Sequence, residues 1–145
     1  MITDAQLTFA SNQAVTASAA SANQVDLGQA RSLERTGAGQ LRIIATVTTA
    51  FAGVTSVQAR VRQAAAANMS GADIIATGPV VPVANLKRGD VVLDIPFPGV
   101  ENFGPDQYLD VDFVVAGGPG SAGAIWAGIV MNTEGGERRL GVTGR

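Results

Sequence analysis

A chain of 145 residues carrying 10 basic and 12 acidic side chains, and no cysteine or histidine, has the size of one domain and little electrostatic specialisation. Without cysteine there is no disulfide, thiolate metal site or thiol nucleophile; without histidine the commonest general base and metal ligand are missing. A formal charge of -2 lacks the dense basic face of a nucleic-acid binder, and no run approaches the roughly 18 unbroken apolar residues of a membrane span.

In chain order, Leu7-Thr8-Phe9, Val15-Thr16-Ala17 and Gln24-Val25-Asp26-Leu27 form a weak set of short strand signals. The start shows neither a basic n-region nor a long apolar h-region, so the chain is expected to stay in the compartment where it is made. The stretch from Gly28 to Gln40 carries no pattern of its own. Leu41 to Thr49 then alternates: Leu41, Ile43, Ala45 and Val47 fall on one face, and Arg42, Ile44, Thr46 and Thr48 on the other. Val54 to Arg62 repeats the pattern, with Val57, Ala59 and Val61 inward and Gln58, Arg60 and Arg62 outward.

Gln63 to Asn68 is alanine-rich and is the best helix candidate, but it is too short to stand alone and reads as a strand passing into a turn. Asp73 to Thr77 and Val91 to Ile95 are shorter strands. Gly78-Pro79 and Pro82 break the connection between them, and Pro96-Phe97-Pro98-Gly99 closes the second. Tyr108 to Ala116 alternates strictly, with Leu109, Val111, Phe113 and Val115 opposite Tyr108, Asp110, Asp112 and Val114. A glycine-rich break from Gly117 to Gly123 precedes the apolar run Ala124 to Met131, and together these predict an antiparallel hairpin. About eight strands at this spacing, in a single domain over 1–145, predict an all-β sandwich or jelly roll with little or no helix.

Few residues suggest chemistry. Asp110 and Asp112 share a strand face and could chelate a hard cation, but the uniformly apolar opposite face favours the solvated side of a half-buried strand. Arg60/Arg62, Lys87/Arg88 and Arg138/Arg139 read as solvated faces or loops. Trp126 reads as a core residue or a plug at a sheet edge rather than a sugar-stacking platform. Gly117-Gly118-Pro119-Gly120 and Gly135-Gly136 lack the lysine and the following helix of a phosphate loop. Lys87 is the only lysine and sits in a turn, which disfavours a Ser-Lys dyad, and Arg88-Gly89-Asp90 is given no weight as an adhesion tripeptide. The expectation is therefore no catalytic residues, no cofactor, no metal site and no enzymatic activity.

The succession Leu41-Arg42-Ile43-Ile44-Ala45-Thr46-Val47, Val57-Gln58-Ala59-Arg60-Val61, Ile75-Ala76-Thr77-Gly78-Pro79, Asp94-Ile95-Pro96, Tyr108 to Gly117 and Ala124 to Val130 resembles the capsid cement (decoration) proteins of tailed bacteriophages, of the small jelly-roll type. Leu7 to Ser11 and Val25 to Gly28 are similar to that family as well, so the resemblance runs from Met1 to about Asn132. It implies a jelly-roll sandwich on the exterior of an icosahedral head, bridging major capsid subunits in the virion and made in the host cytoplasm, with no nucleic-acid or membrane partner. Such a protein is expected to be a homo-oligomer, dimer or trimer, at a symmetry axis. Its N-terminal segment and its tail from about 133 to 145 are expected to dock on neighbouring chains. The alternatives are another virion sandwich, for head completion or fibre association, and a glycan-binding module.

Overall fold

The structure, a computed structural model, describes residues 4–29, 41–97 and 106–131. The proposed docking tail at 133–145, Met1 to Thr3, most of the patternless stretch after Gly28, and the Arg138/Arg139 and Gly135-Gly136 pairs lie outside the described residues.

A 3-10 turn at Ala5–Leu7, capped by Asp4 Oδ1 accepting from Gln6 N–H at 2.9 Å, leads into nine strands among the described residues. They are β1 (Thr8–Ala14), β2 (Ala19–Ala20), β3 (Val25–Asp26), β4 (Leu41–Ala52), β5 (Ser56–Ala64), β6 (Asp73–Pro82), β7 (Val91–Pro96), β8 (Tyr108–Ala116) and β9 (Ala122–Met131). All pairings are antiparallel. One sheet has the order β1-β9-β4-β7; the other runs β2-β8-β5-β6, with β3 also on β8. Because β2 and β3 lie along the same side of β8, they fill one strand position, and the sandwich has four positions in each layer. Apart from β2 to β3 and β5 to β6, each step in sequence changes sheet, which is the nested Greek-key order of a jelly roll.

Alternation explains the core. Phe9, Ile43, Ala45, Val47, Leu93, Ile125, Ala127 and Ile129 from the first sheet meet Val57, Ala59, Val61, Leu109, Val111 and Phe113 from the second, all buried. Small residues such as Ala45, Ala59 and Ala127 interleave with the large rings of Phe9 and Phe113, so facing layers can interdigitate at the usual sheet separation.

Several expectations need correction. The pattern from Tyr108 to Met131 is not a hairpin: β8 pairs with β5, β9 pairs with β1 and β4, and the glycine-rich link arches between layers. Period-two alternation reports which face is buried, not which strand is the neighbour; Phe113 and Ile125 face the same core from opposite sheets. The arch is tied down by Gly120 N–H to Thr16 O at 2.6 Å and Ser121 N–H to Ala52 O at 2.9 Å.

Gly78-Pro79 and Pro82 do not break the chain, since β6 continues to Pro82. It is an edge strand, where a missing N–H need not remove a ladder bond, and its register against β5 shifts between Gln58 and Arg60. At that irregularity Gly78 O accepts from the Gln58 side-chain amide at 2.9 Å. Pro96 likewise ends the edge strand β7 from inside. Val15 to Ala17 is not a strand; β1 stops at Ala14 after two register shifts, with Asn12 at φ 51°. Val15 is nevertheless buried, and its N–H donates to Gly123 O at 3.0 Å. Gln63 to Asn68 leaves β5 and enters a turn, as expected.

Candidate functional surface

The outward face of the second sheet is built from β5, β6 and β8. Arg60 lies opposite Asp112 and Arg62 opposite Asp110 across the β5–β8 ladder. Both pairs are bidentate or nearly so: Arg62 Nη2 reaches Asp110 Oδ2 at 2.5 Å and its Nε reaches Oδ1 at 2.9 Å, while Arg60 Nε and Nη2 both donate to Asp112 Oδ2. Asp110 is fully buried, and Asp112 keeps 13% of its side chain exposed. Hydrogen bonding to Asp110 holds the Arg62 guanidinium above its ordinary pKa against the opposing effect of burial. The two aspartates are thus neither a cation site nor a solvated strand face, and Arg60/Arg62 is no free basic cluster. Each carboxylate is occupied by a guanidinium from the next strand, an arrangement that fixes register. Among the described residues no group of three or more His, Cys, Asp or Glu side chains could hold a metal ion.

The outward face of the first sheet carries the Arg42–Asp94 pair at 2.6 Å, Ile44, Thr46 and Trp126. Trp126 is half-buried and belongs to β9, an interior strand, so it is neither a core residue nor an edge plug. Its ring lies along the sheet over Gly128, where a Cβ would come within 2.8 Å of Trp126 Cη2.

The sandwich edges are closed to strand addition in different ways. β1 carries two register shifts, β2 and β3 are two residues each, β6 contains Pro79 and Pro82 beside its irregular register, and β7 ends in proline. Side chains, rather than free ladder groups, are what this body offers a partner. Among the described residues the exposed large apolar side chains are Ile74, Val80, Val83 and Val91, all on β6, on β7 or on their connection. The same connection holds Lys87, Arg88 and Asp90. Asp90 Oδ2 accepts from Lys87 N–H at 2.8 Å, so the Arg88-Gly89-Asp90 carboxylate is engaged within its own turn. In sequence Lys87/Arg88 reads as a solvated face or loop; the signal left unused is the pair of valines, Val83 and Val91, flanking those cations.

No helix among the described residues is long and apolar enough to cross a membrane. No curated protein matches the chain. A family model does, over residues 9–129, a span that takes in every strand core described above. On that match the chain belongs to the Bbp16 family, a phage-related protein family.

Proposed function

We propose that this protein is a capsid cement protein, bound to the outer surface of an icosahedral phage head and bridging neighbouring major capsid subunits. The observation that carries this reading is a phage-related family on a jelly-roll body whose sheet arginines are each paired with an aspartate and whose edges resist strand addition. Such a body can cover a seam without polymerising with itself. A contact of about 800 Å² per partner is of standard size for a specific interface. Binding only to assembled shell shifts the balance away from disassembly by mass action, and many copies act together. A two-fold homo-oligomer suits a symmetry axis, and catalysis plays no part in the mechanism.

Heads produced without this chain, mixed with purified protein and sedimented, test the reading. Saturation at a stoichiometry that scales with the number of capsid subunits supports it. Saturation at a small fixed number identifies a neck or fibre component instead, and no co-sedimentation overturns adhesion altogether.

A further inference from the structure

We propose that the β6–β7 connection, from Val83 to Val91, is the shell-facing contact, and that it docks on an acidic, partly apolar protein surface. This rests on the reading of the protein as a head-binding adhesive.

Three observations converge on the segment. The first is charge. Among the described residues Arg42, Arg60 and Arg62 are each paired with an aspartate, whereas Lys87 and Arg88 are exposed and have no ion pair. With the Asp90 carboxylate held in the same turn, the pair leaves that turn a net charge of +1 in a chain of net charge -2. The turn's field attracts carboxylates and repels other cations.

The second is apolar surface. Val80 is 61% exposed, Val91 51% and Val83 36%, and they bracket the two cations along the chain. Exposed valines beside the two cations let a contact bury apolar area while the charges meet a partner at its polar rim. The same mixture argues against nucleic acid: two cations are too few to track a phosphate backbone, and valines gain nothing there.

The third is rigidity. Leu86 is fully buried and anchors the middle of the connection in the core. Its carbonyl accepts from Phe51 N–H at 3.0 Å, Gly89 N–H donates to Val47 O at 2.8 Å, and Val47 N–H donates to Asp90 O at 2.9 Å. Asp90 closes the turn from both sides, through its carboxylate to Lys87 N–H and its own N–H to Lys87 O at 3.0 Å. Gly89, at φ +92°, lets the chain reverse there. A contact already fixed in position loses little conformational freedom on docking.

The test uses heads produced without this chain and full-length variants whose melting matches that of the parent. K87E/R88E is expected to bind about tenfold or more weakly and to lose most of the salt dependence of binding. V83S/V91S is expected to weaken binding while keeping the parent's salt dependence. Ser11→Glu, on β1 at the far edge of the same sheet, is expected to bind as the parent does. If both loop variants bind within about twofold of the parent, this contact is wrong and another face carries the adhesion, because differences that small lie below what one docked charge contributes. If the parent itself leaves the heads bare, the adhesive reading falls and this contact with it.

Discussion

Asp110 and Asp112 sit two positions apart on one strand, yet their removal should have different consequences. Asp110 is fully buried against Arg62, so Asp110→Ala strands a partly buried guanidinium and should lower stability by about 3 kcal/mol. Arg60 retains 32% exposure beside Asp112, and water can take over its solvation, so Asp112→Ala should cost about 1 kcal/mol. Urea midpoints of the two variants, measured side by side, check the ranking; equal losses would mean that the pairs are equivalent. At this scale the sequence placed every core side chain of β8 on its correct face, because alternation is a local property. It could not show that Asp110 is buried, because that depends on Arg62 being brought alongside from 48 positions earlier in the chain. A usable signal existed: two arginines and two aspartates, each at i, i+2 spacing, meet in matched order when their strands run antiparallel.

At the level of elements, the link between β8 and β9 shows why a correct strand pattern gave the wrong neighbour. Gly117 has φ +72°, and a Cβ there would overlap the Thr55 side chain and lie 2.9 Å from Thr55 N. A flexible two-stranded turn would tolerate alanine better than this arch, where backbone from the β4–β5 connection presses against it. Gly117→Ala should therefore cost about 2 kcal/mol or more, read from thermal or urea unfolding; a loss under about 0.5 kcal/mol would show the arch to be loose. A second link joins β3 to the entry of β8, where Gln107 Nε2 donates to Asp26 Oδ1 at 2.9 Å. That bond, with the Gly28 N–H, holds the Asp26 carboxyl below its ordinary pKa. A lowered folded-state pKa contributes stability above the unfolded value, about 3.9, and loses it as pH falls through the lowered one. The gap between parent and Gln107→Ala should be present at neutral pH and close on acidification through that window. A gap independent of pH in urea titrations would assign Gln107 a packing role instead. Proline misled for a related reason: as a breaker it is a local rule, but on the edge strands β6 and β7 the missing donor faces no partner strand.

For the molecule as a whole, the all-β class and the two-layer architecture were legible from strand spacing, and the family match agrees with the phage relatedness that the resemblance implies. Which strands neighbour which was not legible, since jelly-roll connections cross between layers and leave no local mark. The functional surface was less legible still. Paired and unpaired cations look alike in one dimension; only the fold separates Arg60 and Arg62, neutralised on a sheet, from Lys87 and Arg88, free on a pinned connection. A sandwich with irregular or short edges, paired sheet arginines and exposed valines around the β6–β7 connection suits adhesion to a repeating surface, where modest contacts sum over many copies. The most direct measurement is the temperature at which DNA-filled heads release their contents, followed by dye uptake, with and without saturating protein. The account predicts that decorated heads rupture at a higher temperature, with the increase growing as sites fill. Bare and saturated heads rupturing at the same temperature would contradict it.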